Sequence, residues 1–400
     1  MTSAPPRGLH RLAVATAVVT LALIGLGGMV TSKEAGMAVP DWPTTYGENM
    51  FLFPFSQWIG GIFFEHSHRL LASGVGMLTV LLAGGLWCRE TRGTGRWIGL
   101  IWIVGGMGLI GARRQLVFVG LASVALLVVG FCFYRLRGAE RPIRWWAMMA
   151  YSLVLVQGTL GGLRVTAIND DLGIIHGTIA QLFFLLICAL ALVTSSFWPR
   201  IVAARLDFRA AGLRPLLLGT TILILFQLIL GASMRHQHAG LAVPDFPLAY
   251  GKVWPPTDAG FVAEANRRRL DPREFKPITA NHIVLHMCHR VTAMTILGAV
   301  IGCCVSARRR VGVDSPITRG TDVWLGLVCV QAVLGAATIW SQKSAEIATL
   351  HVMTGALCLV TGGLLTIALF RVSTTGFARA SDGSAGCSDP DPSLSALRVA

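Results

Sequence analysis

Runs of about twenty apolar residues recur along nearly the whole chain, each long enough to cross a ~30 Å hydrocarbon core as an α-helix. In lipid every backbone polar group must be satisfied internally, which leaves helices or closed barrels. Period-two alternation, the mark of a barrel strand, is absent. The sequence therefore predicts an all-α integral membrane protein. The runs fall near 11–31, 64–87, 97–112, 115–134, 145–163, 172–195, 215–235, 282–306, 320–341 and 347–371, about ten spans. Only 14% of the 400 residues are charged, about half the share of a soluble domain. The first span, after Arg7 and Arg11, resembles a signal peptide. Its counterpart at 215–235 cannot be removed, so retention is expected for both.

The net charge of +14 sits in short connectors: "CRETRGTGR" (88–96), "RLRGAERPIR" (135–144), "WPRIVAARLDFRAAGLR" (198–214) and "ARRRVGVDSPITR" (307–319). Basic connectors of that kind face the cytoplasm. With the N-terminus inside, all four fall on that side, and topology accounts for the charge without a nucleic-acid partner. Arg113 and Arg114 fit less well, lying in the outer turn between the third and fourth spans. The nine cysteines contain no CxxC pair and mostly lie within apolar spans, which excludes a disulfide framework.

The chain repeats itself. "GMAVPDWPTTYG" (36–47) returns as "GLAVPDFPLAYG" (240–251), identical at eight of twelve positions with an offset of 204. "EHSHRLLA" (65–72) matches "HMCHRVTA" (286–293), "VQGTLGG" (156–162) matches "VQAVLGA" (330–336), and "LGIIHGT" matches "IATLHVMTG". The halves are direct repeats of four spans. His68 and His176 are 108 residues apart and His289 and His351 only 62. The excess of 46 is the length of one transmembrane hairpin. The expected organisation is two tandem four-helix-bundle repeats: an N-terminal unit over 1–200 with an inserted hairpin at 97–134, a C-terminal unit over 201–375, and a disordered tail at 376–400.

Each repeat contributes two histidines from two helices, and His68, His176, His289 and His351 all fall near the outer end of their spans. Polar groups in apolar helices face the bundle interior and usually serve a function. A lone intramembrane histidine is commonly a helix–helix hydrogen bonder, but four in register across a repeat need more. Two imidazoles at one depth are what a six-coordinate heme iron requires. The pairs His68/His176 and His289/His351 are therefore the candidate axial ligands of two porphyrin sites.

Within the matched histidine motif the halves differ: Glu65 stands three residues before His68 where His286 precedes His289. Residues spaced i, i+3 share a helix face, so Glu65 is expected to point into the cavity of His68, as a proton-handling or charge-stabilising group. A helix N-terminal carboxylate at the interface is the plainer reading. Arg164 has no basic counterpart and sits where an outward porphyrin propionate would be met, or a lipid headgroup. Asp41 and Asp245 read as structural parts of rigid covers over the two sites.

Taken together, "EHSHRLLA", "HMCHRVTA", the "VPDWP"/"VPDFP" loops, "VQGTLGGLRV" and the later histidines resemble the heme A synthase family, over nearly all of 11–371 outside the hairpin. The resemblance implies an oxidoreductase of the bacterial cytoplasmic membrane that turns a methyl group of heme O into the formyl group of heme A by successive hydroxylations. It implies heme b between His289 and His351, heme O between His68 and His176, and Glu65 as an essential acid. It further implies membrane lipid, an electron donor, heme O synthase and terminal oxidase assembly proteins, and a second copy of the chain as partners. Some members of the family carry a cysteine pair in the first outer loop, and residues 32–63 here contain none. A di-heme, quinol-linked cytochrome b remains the alternative; a transporter ranks behind both, because midplane charges are missing.

Overall fold

The computed structural model describes residues 7–110, 115–137, 142–167, 171–203, 205–268 and 277–375. The expectations about the 376–400 tail and about Arg113 and Arg114 lie outside these residues.

The chain is built from α1 (Arg7–Ser32), α2 (Gly60–Glu90), α3 (Thr94–Ile110), α4 (Gln115–Leu136), α5 (Ile143–Thr166) and α6 (Asp171–Val193). Two short helices follow, α7 (Trp198–Ala203) and α8 (Phe208–Ala211). The second half contains α9 (Arg214–His236), α10 (Ala259–Arg267), α11 (Ala280–Val311), α12 (Pro316–Trp340) and α13 (Ala345–Arg371). Nine described helices are long and apolar enough to cross a membrane. The tenth expected span falls on α3, an apolar helix whose described part, Thr94–Ile110, is 17 residues. One feature was not foreseen: Arg205–Asp207 pairs in parallel with Ser373–Thr375, a two-stranded sheet of three residues each.

Helix starts follow local chemistry. Thr279 caps α11 by accepting from the His282 amide, and Ser315 caps α12 by accepting from Ile317, with Pro316 at the first helical position. Gly312, at φ +85°, ends α11 in a conformation that favours glycine.

Packing reproduces the inferred repeat. Helices α1, α2, α5 and α6 close a ring in which each packs on the next; α9, α11, α12 and α13 close a second ring of the same connectivity. The inserted α3–α4 pair lies outside the first ring, with α4 along α5 and α3 against α2 and α5. The glycines of α3 permit that approach: a methyl group on Gly106 would lie 2.5 Å from the Tyr151 hydroxyl. The Tyr151 hydroxyl itself donates to the Ile103 carbonyl at 2.6 Å. Ile101, Val104 and Leu127 are about 70% exposed on the outer face of this pair, surface that lipid covers in a membrane. The rings meet along α1 and α6 on one side and α13 and α9 on the other, around buried Ile24, Phe184, Ala356 and Val360.

Candidate functional site

The duplicated loops fold identically. Each contains a cis peptide bond before its second proline (Trp42–Pro43, Phe246–Pro247), and Tyr46 and Tyr250 both sit at φ +52°. Asp41 accepts from the amides of Tyr46 and Gly47, both at 2.8 Å; Asp245 accepts from Tyr250 and Gly251 at 2.6 and 2.8 Å. Burial pushes the Asp41 carboxyl up, but the Thr44 hydroxyl and these amides outweigh it and hold the group below its ordinary range. The tyrosine hydroxyls close the loops by donating to Ala38 and Ala242. The two aspartates are thus structural, as the sequence indicated.

The arginine of each His-Arg dipeptide holds a loop in place. Arg69 donates to the carbonyls of Asp41 (2.6 Å), Thr44 (3.1 Å) and Val39 (2.8 Å). Arg290 donates to the equivalent Asp245 (2.6 Å), Leu248 (2.9 Å) and Val243 (3.3 Å). Each guanidinium also lies over the loop's aromatic ring, 5.6 Å from Trp42 and 5.5 Å from Phe246. Because each arginine directly follows a candidate ligand, this anchoring also fixes the register of His68 and His289 beneath the loops.

Glu65 belongs to the same system. Only 3% exposed, its carboxylate takes Arg69 on one oxygen at 2.6 Å and the Val39 amide on the other at 2.8 Å. In the second half the Val243 amide donates to His286 Nδ1 at 3.3 Å. The differing residues Glu65 and His286 therefore do the same job: each receives the amide of the loop's central valine. The sequence put Glu65 and His68 on one face directed into one cavity; the carboxylate is turned to the loop and Arg69. His66 is fully buried, bonded to Thr45 and packed against Phe53 and Trp58. Cys288, beside His289, is exposed.

The four candidate ligands repeat one environment. His68, His176, His289 and His351 lie six to ten residues into α2, α6, α11 and α13, at helix ends on the side of the loops. Each is half-buried, and in each Nδ1 is enclosed without a hydrogen-bond partner. Each imidazole is backed by a glycine of a neighbouring helix. A methyl group on Gly27 of α1 or Gly335 of α12 would lie 3.0 Å from Cε1 of His68 or His351. On Gly161 of α5 or Gly231 of α9 it would lie 3.5 or 3.4 Å from His176 or His289. Glutamines reinforce the pattern. Gln157 donates to the His176 carbonyl at 3.0 Å, Gln227 to that of His289 at 2.9 Å, and Gln331 lies 3.4 Å from His351 Nε2.

His68 lies within electrostatic range of His176, and His289 within that of His351. No group of three or more His, Cys, Asp or Glu side chains suited to a metal ion occurs among the described residues. Two imidazoles per site, with buried unsatisfied nitrogens and flat glycine backing, fit a metal whose other ligands come from a planar macrocycle. A tetrahedral ion held by protein alone does not fit.

Arg164, in the last turn of α5, interacts electrostatically with His68 and His176, and its guanidinium lies under Gly36 at the start of the first loop. Arg235, in the last turn of α9, interacts with His351 and was missed by sequence reasoning. The repeat gives Arg164 no basic counterpart at the equivalent position; the second cation comes from another helix. A basic residue within the "GASMRHQH" end of α9, at the membrane side of the histidines, was the available signal.

The fold defines a polytopic helical membrane protein that carries two repeat-related pairs of histidines. The chain belongs to the COX15-CtaA family of cytochrome oxidase assembly proteins, whose family model matches residues 114–362, more than half of its length. It is 25% identical over 356 residues to a heme A synthase of Cereibacter sphaeroides, covering 86% of this chain and 83% of that one. It is 26% identical over 353 residues to a heme A synthase of Bacillus cereus, covering 86% and 88%. A third similar protein, the heme A synthase of Geobacillus kaustophilus, is 26% identical over 233 residues, covering 58% and 66%.

Proposed function

We propose that the chain is a heme A synthase, an oxidoreductase that converts a methyl group of heme O to the formyl group of heme A in the bacterial cytoplasmic membrane. The observation that carries this reading is the fourfold environment of the histidines, two per ring, in a chain of this family. The first ring, within 1–200, takes heme O between His68 and His176. The second, within 201–375, takes heme b between His289 and His351. When bound, the second heme supplies one-electron transfer.

The remaining roles fall to the chain's own groups. Arg164 lies beside His68 and His176 and orients an outward carboxylate of the substrate. Glu65, three residues from His68 and paired with Arg69, is the acidic residue at the edge of the first site that the reaction requires. Its contacts with Arg69 and Val39 at the same time keep the first loop closed against water. The basic connectors lie at the ends opposite the duplicated loops, which supports histidine sites facing the outer side.

Expression with a heme O source, followed by extraction and separation of hemes b, o and a, tests the reading. The expected result is heme A together with retained heme b. Glu65→Ala should abolish heme A while leaving heme b in place. Undiminished heme A from Glu65→Ala would remove Glu65 from the site, and absence of heme A from the unaltered protein would remove the activity.

A further inference from the structure

Arg235 is half-buried at the junction of the two rings, yet no carboxylate among the described residues pairs with it. Its Nη2 donates to the Gly28 carbonyl at 2.7 Å and to Ser32 Oγ at 2.9 Å, both on α1. Gly28 abuts Thr349 on α13: a methyl group there would lie 3.1 Å from Thr349 Cγ2. Thr349 is two residues before His351 and 6% exposed, and its hydroxyl is buried without a partner. The guanidinium thus meets α1 at the level of His351, beside an unsatisfied hydroxyl. A half-buried cation with only neutral acceptors carries a desolvation cost in an apolar bundle, and an anion alongside offsets it.

We propose that Arg235 is the carboxylate-binding residue of the second site and holds a propionate of the tetrapyrrole between His289 and His351, with Thr349 as a neighbouring donor. This rests on the reading of that site as a heme site. Arg235 does for the second pair what Arg164 does for the first, from a different helix. The positions equivalent to Arg235 and Arg164 in the opposite repeats are Thr31 and Thr338, so each repeat carries one cation and lacks the other. The arrangement also joins the sites. Gly28, which accepts from Arg235, is the neighbour of Gly27, which backs His68. Helix α1 is part of the seam between the rings, and Arg235 links the second ligand set to it.

The test is titration of the heme-depleted full-length protein with ferric heme b and with its dimethyl ester, in which both carboxylates are blocked, alongside redox titration of the loaded second site. The unaltered protein should bind heme b roughly tenfold or more tightly than the ester, as expected for one charge-assisted contact. Arg235→Gln keeps donors for Gly28 and Ser32 but loses the charge; it should abolish that preference at the second site and shift its midpoint potential negative, because a nearby cation favours the reduced iron. Arg235→Lys should recover most of the potential, and Ser32→Ala, which removes only the bridge, should leave both readouts unchanged. Ester discrimination and potential unaltered in Arg235→Gln would overturn the assignment. Failure of the unaltered protein to bind heme b at all would instead overturn the reading of the site.

Discussion

At the scale of single residues, four glycines control where four imidazoles can stand. Gly27 and Gly335 leave the least room: a methyl group at either would lie 3.0 Å from an imidazole carbon, against 3.4–3.5 Å at Gly231 and Gly161. Overpacking of that kind costs about 1–3 kcal/mol. Gly27→Ala and Gly335→Ala should therefore weaken heme binding about tenfold and disturb the low-spin spectrum of their own site only. Gly161→Ala and Gly231→Ala should be close to unaltered, and optical titration of the four variants checks this; equal effects at all four would refute the graded seating. The histidines were legible in sequence because a repeat puts them in register. The glycines recur in register too, Gly27 with Gly231 and Gly161 with Gly335, but small residues are common in membrane helices and only three-dimensional packing shows which of them face a ring. Arg235 escaped for a related reason: a repeat predicts equivalent positions, and this cation has none.

At the scale of elements, the loops and their helices form one latch made twice. The sequence revealed the duplication, and the structure shows its mechanics: an arginine gathers three loop carbonyls, and the residue at position 65 or 286 receives the valine amide. Helical spacing alone could not show this, since it gives the face of a side chain but not the chain that folds back over it. Removing Glu65 leaves Arg69 buried without its partner, a loss of about 3–5 kcal/mol. In hydrogen exchange, Glu65→Ala should deprotect residues 36–47 and leave 240–251 as they were. Glu65→His, which copies the second half, should return much of that protection without returning heme A synthesis, separating the latch from the chemistry. Unchanged exchange in Glu65→Ala would show that the loop stands without it.

At the scale of the whole molecule, two rings of four helices meet along α1 and α6 on one side and α13 and α9 on the other, and the inserted α3–α4 pair rides outside the first ring. Hydropathy made the class and nearly all the spans legible, and the histidine spacing located the insertion. The three-residue strand pair between Arg205–Asp207 and Ser373–Thr375 has no sequence signal, because strands so short carry no periodicity. The arrangement requires each repeat to clasp iron between its own two histidines. Electron paramagnetic resonance of the heme-loaded protein and its four single His→Ala variants tests this most directly. His289→Ala and His351→Ala should each abolish one and the same low-spin bis-imidazole signal, while His68→Ala and His176→Ala abolish the other. A signal lost on pairing a histidine of one repeat with a histidine of the other, or one that survives all four substitutions, would contradict it.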